Sequence, residues 1–308
     1  MKTTLQLLAL MFVFAFGVNE QNGDIHIQFA ALKQDGTFYE DLKQSDLKAS
    51  GLSLKALELR RNQALELVVL VDSSLSQERT IELAKAGAEY FIDSALKTGD
   101  RVSISRFANR HHPIQSLTPD FDQAKKMLST IRVEPLPKYI PGKVPGPQTK
   151  SIPDWEAGST SIWDAIIEAS RSLSPVPPAN TRQIILLVSD GFNTSGGTKL
   201  DDAIGYAVAH GFSIFALGIG DKFIEGVNKA GLRQLSERTA GLVALADETG
   251  DLKKAVDFII PALRATYSVT LSAEPYMTAG RKEIKFEIAN TELRKKVRLI
   301  SPKAVWVP

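Results

Sequence analysis

The sequence predicts an α/β fold, a doubly wound and mostly parallel sheet flanked by helices, and three observations carry that prediction. Residues 67–71 and 184–188 are apolar runs rich in branched side chains, and carboxylates follow them, Asp72 and Asp190. Runs this apolar suit strands covered on both faces, as in parallel sheets. Strand-like and helix-like segments then alternate through the middle of the chain, the pattern of repeated crossover connections. Serines after Asp72 and a glycine after Asp190 mark turns at strand ends, where open α/β sheets bind ligands.

Taken in order, residues 1–17 read as a secretory leader, with Lys2 in a short basic start, an apolar core over residues 5–16, and Ala15-Phe16-Gly17 before the cleavage point. That core is short for a membrane span. Residues 18–63 are expected to form a small β-rich extension, with a strand at 24–30 and a turn at 34–37. His26 in that strand has no second histidine at ligand spacing and is read as structural.

Residues 64–265 form the main α/β domain. Helical spacing covers residues 77–96, 121–131, 198–210, 230–239 and 252–265, and strand patterns cover 101–107, 212–220 and 242–246. His111 and His112 are expected in a surface turn. Residues 266–308 change character, with three short strands at 267–273, 282–288 and 297–300 that could join the N-terminal strands in one β-sandwich-like module. Arg294, Lys295, Lys296 and Arg298 are placed on an edge hairpin, where solvated charges discourage aggregation.

Composition narrows the function. A formal charge of +2 over 308 residues gives no bulk electrostatic case for nucleic acid. With no cysteine in the sequence, disulfides, thiol catalysis, cysteine zinc sites and lipid attachment at a leader cysteine are excluded. One long proline-rich segment, residues 135–156, runs toward Thr160 and is expected to end beside it. Its Tyr139, Trp155, Lys138, Lys143 and Lys150 could contact an acidic partner, and a solvated surface loop is the alternative.

The chemistry-bearing residues lie on three segments. Asp72, Ser74 and Ser76 follow one strand at alternate positions, and Asp190 ends another. Thr160 sits in Gly158-Ser159-Thr160-Ser161, a loop entering a helix whose Trp163, Ile166 and Ile167 pack beneath. Two carboxylates and three hydroxyls are hard oxygen ligands that suit magnesium, manganese or calcium. Helix capping alone could account for Ser74 and Ser76, but for neither Thr160 nor the second acid.

This set resembles the metal-ion-dependent adhesion site (MIDAS) of von Willebrand factor type A (VWA) domains. The family pattern D-x-S-x-S falls on Asp72, Ser74 and Ser76, its threonine on Thr160 and its later aspartate on Asp190. The likeness covers about residues 64–265, and the flanks resemble a secreted bacterial branch described as VWFA-related, in part through Asp41-Leu42 and Asp46-Leu47. The resemblance implies a Rossmann-like fold and an exported protein, periplasmic or secreted, with a membrane link only through an uncleaved leader. It further implies Mg²⁺, Mn²⁺ or Ca²⁺ at the site, with Ser74, Ser76 and Thr160 coordinating through neutral hydroxyls and Asp72 and Asp190 directly or through water.

The function implied is metal-dependent protein binding, in adhesion or assembly, with an acidic side chain of a protein partner completing the metal's coordination. Two alternatives stand beside it. One is a structural envelope or assembly factor without ligand exchange at the metal. The other is a magnesium-dependent phosphatase-like enzyme, which needs a second acid where Ser74 stands; with no G-x-S-x-G elbow either, no catalysis is expected. Asn193 occupies a place where related chains often carry another acid, so its neutral amide is expected to keep the site less negative.

Overall fold

The computed structural model of the chain describes residues 18–19, 24–50, 52–134, 159–221, 226–246, 249–272 and 280–307. The predicted leader and the proline-rich segment 135–156 lie outside the described residues. In chain order the strands are β1 (Val18–Asn19), β2 (Asp24–Lys33), β3 (Leu47–Ser50), β4 (Ser53–Arg60), β5 (Ala64–Asp72), β6 (Arg101–Phe107), β7 (His111–Thr118) and β8 (Thr181–Ser189). They continue as β9 (Ser213–Gly218), β10 (Val243–Leu245), β11 (Thr266–Ser272), β12 (Gly280–Glu283), β13 (Lys285–Ile288), β14 (Val297–Ile300) and β15 (Ala304–Val307). The helices are α1 (Ile81–Ala95), α2 (Phe121–Ser129), α3 (Ile162–Ser170), α4 (Leu200–Ala209), α5 (Lys229–Glu237), α6 (Thr249–Ile259) and α7 (Thr291–Lys296).

Six strands form the central sheet in the order β10-β9-β8-β5-β6-β7, parallel throughout except for the antiparallel edge β7. Successive side chains of a strand point to opposite faces, so β5 feeds two helix layers. Leu67, Val69 and Val71 pack under α1, α2 and α6 with Phe91, Leu128 and Val256. Val68 and Leu70 pack under α3, α4 and α5 with Ile166, Ile204 and Leu232. Chain order runs outward in one direction from β5 through β6 and in the other from β8 through β9. The switch point between β5 and β8 opens a crevice at their carboxyl ends, the place where such sheets take ligands.

The segments before and after this sheet interleave in a second β unit. β2 pairs antiparallel with β11 and β14, and β11 pairs with β4. Its mostly aliphatic core holds a cluster of stacked rings, with Phe29 against Tyr267 at 5.4 Å and against Phe286 at 5.7 Å. Tyr267 Oη accepts from the Leu42 amide at 3.0 Å and donates to the Tyr39 carbonyl at 3.0 Å, so the buried hydroxyl is satisfied.

Several expectations change. His111 and His112 lie on β7 rather than in a turn; that strand is half-buried, carries Pro113 and pairs irregularly with β6, as edge strands with proline do. Residues 294–296 form the last turn of α7 rather than an edge hairpin. Asn290 caps that helix by accepting from the Glu292 and Leu293 amides at 2.9 and 3.2 Å, and the basic run suits its C-terminal dipole. Arg298 lies on β14 and pairs with Glu237. The segment 282–288 is split between β12 and β13, and residues 75–77 form a separate 3-10 turn before α1.

Two arginines tie the β unit to the amino ends of the central strands. Arg182 on β8 is 1% exposed. Its Nη1 donates to the Ala262 and Leu263 carbonyls at 2.5 and 3.0 Å, and its Nη2 to Ser213 Oγ and the Ala240 carbonyl at 3.1 and 3.0 Å. The guanidinium lies 5.2 Å from the Phe215 ring centroid, and burial pulls its pKa down to about 9. Arg264 donates to the Gln63 carbonyl at 3.0 Å and pairs with Asp100, which also accepts from the Leu65 amide at 2.8 Å.

Replacing Arg182 by Met leaves these buried acceptors without a donor, at ~1–3 kcal/mol each. Arg182→Met is therefore expected to lower unfolding free energy in urea by ~3 kcal/mol or more, and Arg182→Lys to recover only part, because an ammonium cannot reproduce the planar fork. A loss under ~1 kcal/mol would refute this role.

His111 supplies a pH test. Burial first, then His112 and Arg171, pushes its pKa down from 6.5 to about 4, and its buried Nε2 has no partner among the described residues. The folded protein thus keeps this ring neutral while the unfolded chain takes up a proton below 6.5. The stability it contributes is present above pH 6.5 and lost as pH falls toward 4. Melting curves across that window should show a smaller acid loss in His111→Leu than in the unaltered protein.

Candidate metal centre

Asp72 is the last residue of β5, and the parallel register pairs Val71 with Val188, which sets Ser189 level with Asp72 and Asp190 one residue beyond. Asp72 is 0% exposed, not solvent-facing as its place at a strand end suggests. Its Oδ1 accepts from the Ser74 amide at 2.9 Å and from Ser74 Oγ at 2.6 Å, and its Oδ2 accepts from Ser189 Oγ at 2.7 Å. Ser74 Oγ lies 3.1 Å from Ser76 Oγ, which donates to Asp190 Oδ2 at 2.6 Å. Asp190 is 3% exposed, and its Oδ1 accepts from the Phe192 amide at 3.0 Å.

Four of the five expected residues thus share one hydrogen-bonded chain, Asp72 to Ser74 to Ser76 to Asp190. Helix capping does not explain it, because Ser74 stands at the N-cap of the 3-10 turn without a capping side-chain bond. The chain has three links but only two hydroxyl protons. If Ser74 donates to Asp72 and Ser76 to Asp190, the contact between the two serine oxygens has no proton. One positive charge is missing, and either a carboxylic-acid proton or a cation can supply it. Burial first and the neighbouring Asp190 second push the Asp72 pKa up from its ordinary value.

Thr160 is set apart from that chain. It is 4% exposed and immediately precedes the N-cap residue Ser161 of α3. Among the described residues no hydrogen bond joins it to Asp72, Ser74, Ser76 or Asp190. Its amide donates to Thr194 Oγ1 at 2.8 Å, and its carbonyl accepts from the Thr194 and Ser195 amides at 2.9 and 3.1 Å. Beneath it Ile162, Trp163 and Ile166 are buried against β5 and β8.

Gly191 makes the turn after Asp190 with φ +83°, and an added Cβ there would meet Leu232 Cγ at 2.7 Å. Arg106 on β6 donates to Ser73 Oγ at 3.2 Å and faces Glu134 at 3.5 Å, a cation beside the strand-end cluster. The sequence does not single out Ser189, and it gives Asn193 only a role in the charge of the site. A serine before the acid was visible, but only the β5–β8 register reveals its bond to Asp72. Asn193 Oδ1 accepts from the Ile162 and Trp163 amides at 2.7 and 3.3 Å, so this side chain serves α3 rather than merely sparing the site a charge.

The donor set suits a hard divalent cation: two carboxylates and neutral hydroxyls at a buried strand edge short of one positive charge. Among the described residues no three His, Asp or Glu side chains gather as metal ligands, so a cation here would depend on the hydroxyls as much as on the acids. None of the four histidines joins the cluster. His26 contacts Thr270 Oγ1 and His210 stacks on Tyr206, while His111 and His112 lie on the edge strand.

No protein-family model matches this sequence, and comparison with curated proteins finds no relative. Solved structures do resemble it. A von Willebrand factor type A protein from Catenulispora acidiphila is 13% identical with a TM-score of 0.50, over 84% of this chain and 74% of that one. Proximal thread matrix protein 1 from the mussel byssus, with a zinc-occupied MIDAS motif, is 17% identical with a TM-score of 0.50, over 68% of this chain and 49% of that one. BatB from Bacteroides thetaiotaomicron is 22% identical with a TM-score of 0.49, over 65% of this chain and 98% of that one. At such identities the two likenesses with a TM-score of 0.50 are ones of fold, and with the strand order β10-β9-β8-β5-β6-β7 they lead to one conclusion: the chain has the von Willebrand factor type A fold.

Proposed function

We propose that this chain is an exported, divalent-metal-dependent protein-binding module that captures an acidic side chain of its partner. The observation that supports it is the proton-deficient chain from Asp72 through Ser74 and Ser76 to Asp190 at the topological switch point. In this reading Asp72, Ser74, Ser76, Thr160 and Asp190 hold Mg²⁺ or Mn²⁺, with Ca²⁺ as a further candidate. The mussel protein, similar in fold, carries a zinc-occupied MIDAS motif, which supports a divalent cation in general.

When bound, the cation supplies a coordination position that a partner carboxylate can fill. Where Asp72 and Asp190 act through water, its direct protein ligands would be the three neutral hydroxyls, which favours an anionic ligand at the open position. Asp72 and Asp190 give the site its charge, and the β5 and β8 backbones fix both in place. Export rests on the leader-like residues 1–17, and the boundaries we propose are a β extension at 18–63, the VWA domain at 64–265 and a C-terminal β element at 266–308. Among the described residues no helix is long and apolar enough to cross a membrane.

One observation favours a second reading, a metal that serves the fold alone. Asp72, Asp190 and Thr160 are all but closed to solvent, at 0%, 3% and 4% exposure. The two readings differ in what chelation removes.

Calorimetric titration of the full chain with Mg²⁺ and Mn²⁺ should give saturable binding, and Asp72→Asn should weaken it at least ~100-fold while the metal-free protein melts no lower, since a buried charge beside Asp190 is gone. Unchanged affinity in Asp72→Asn would sink the assignment. In pull-downs from cell-envelope extract, partner capture should be lost with chelator and with Asp72→Asn alike. Capture that survives both, alongside a melting temperature that falls on chelation, would favour the structural metal instead.

A further inference from the structure

We infer that residues 193–198 form a clasp that fixes Thr160 relative to Asp190, with Asn193 and Thr194 as positioning residues for metal affinity. This deepens the metal-site reading above and rests on it.

The start of α3 does not cap itself. Its N-cap residue Ser161 makes no capping side-chain bond. Asn193 reaches across from the loop after β8 and accepts from the helix's first two amides, Ile162 at 2.7 Å and Trp163 at 3.3 Å. These are donors that a helix leaves unsatisfied at its amino end. The Asn193 amide nitrogen donates in turn to the Ser195 carbonyl at 2.8 Å, which fixes the side chain's orientation.

The same loop holds the backbone of Thr160 from both sides. Thr194 Oγ1 accepts the Thr160 amide at 2.8 Å, while the Thr194 and Ser195 amides donate to the Thr160 carbonyl at 2.9 and 3.1 Å. Farther along, Ser161 Oγ meets Ser195 Oγ at 2.7 Å, and the Asp164 carboxylate accepts from the Gly197 and Thr198 amides at 3.0 and 3.2 Å. Gly196 makes this approach possible. Its φ is +94°, and an added Cβ would collide with Asp164 Oδ2.

Asp190 is joined to the same assembly through the chain. Its carboxylate accepts the Phe192 amide at 3.0 Å, its carbonyl accepts the Asn228 amide at 2.7 Å, and Gly191 donates to Ser189 Oγ at 3.0 Å. Asp190 and Thr160 therefore belong to one bonded unit built on β8 and α3. Asp72, Ser74 and Ser76 at the end of β5 reach that unit through the bonds of Ser76 to Asp190 and of Ser189 to Asp72, so it is Thr160 whose place relative to the other four the clasp sets. A cation held by Thr160 together with those four requires that spacing to be set before it binds, because an unrestrained ligand adds an ordering cost to binding. Loosening the clasp should reduce affinity without removing a ligand.

The test is Mn²⁺ titration of the full chain in four forms: unaltered, Asn193→Ala, Thr194→Val and Asn193→Asp, each also melted in chelator. Asn193→Ala and Thr194→Val should bind at least ~10-fold more weakly while still folding cooperatively without metal. Asn193→Asp, whose carboxylate can accept from the same two amides but cannot donate to the Ser195 carbonyl, should bind at least about threefold more tightly than Asn193→Ala.

Unchanged affinity in both Asn193→Ala and Thr194→Val overturns the inference, even where melting falls. Failure of Asn193→Asp to restore binding also overturns it. Should Asn193→Ala not fold, the nearly isosteric Thr194→Val decides alone. If the unaltered protein binds no Mn²⁺, the metal reading itself fails and takes this inference with it. Weak variants beside a tight unaltered protein separate the two cases.

Discussion

The pairing of β5 with β8 is the constraint from which the rest of the site follows. Their parallel register runs from Ala64 opposite Thr181 to Val71 opposite Val188, and it brings Ser189 beside Asp72 and Asp190 to the level of Ser76. A slip of one residue would send the apolar side chains of β5 into the wrong helix layers, so the same burial that stabilises the sheet fixes the height of both acids. Ser189 Oγ then bonds Asp72 across the two strands at 2.7 Å. The site inherits its precision from the core beneath it.

That precision carries an electrostatic cost. Two carboxylates lie close together where water is largely excluded, and hydroxyls rather than lysines or arginines stand between them. Burial and repulsion by Asp190 push the Asp72 pKa up, the opposite of what a paired structural acid shows. Glu66 at the other end of β5 makes the contrast. It too is closed to solvent, yet burial, which raises its pKa, is outweighed by the bonds from Gln183, the Ser174 amide and Arg101, and the pKa falls. An acid held in place by cations and amides is ordinary architecture, whereas an acid held by two hydroxyls and one amide beside a second acid is the pattern on which the proposed metal site rests.

Most of the fold was legible in the sequence, and the parts that were not share a cause. The central strands announce themselves because residues buried on both faces must be apolar, and Asp72, Ser74, Ser76 and Asp190 stand out because polar side chains interrupt such runs abruptly. Strand β7 gave no such signal, since an edge strand with one wet face and a proline has neither alternation nor an apolar run. Helix α7 spans a single short stretch whose basic residues read as solvated charge in any conformation. For Thr160 the sequence shows a loop before a helix. What it cannot show is that Thr194 and Ser195, 34 and 35 positions along the chain, hold its backbone. The capping role of Asn193 is hidden for the same reason: a cap supplied from another segment leaves no local pattern.

The two ends of β8 complete the argument. At its amino end Arg182 gathers the carbonyl of Ala240, between α5 and β10, and those of Ala262 and Leu263, which follow α6 and lead into β11 of the outer β unit. At its carboxyl end stand Ser189 and Asp190. The strand is nine residues long, roughly 30 Å from one end to the other at about 3.3 Å per residue. Cations and backbone carbonyls thus fasten the outer β unit at one pole, while acids and hydroxyls collect at the other. A partner that binds at the acidic pole need not disturb the junction. A displacement of β8 along its axis would be felt at both, because its interior is packed between two helix layers and cannot absorb the shift locally.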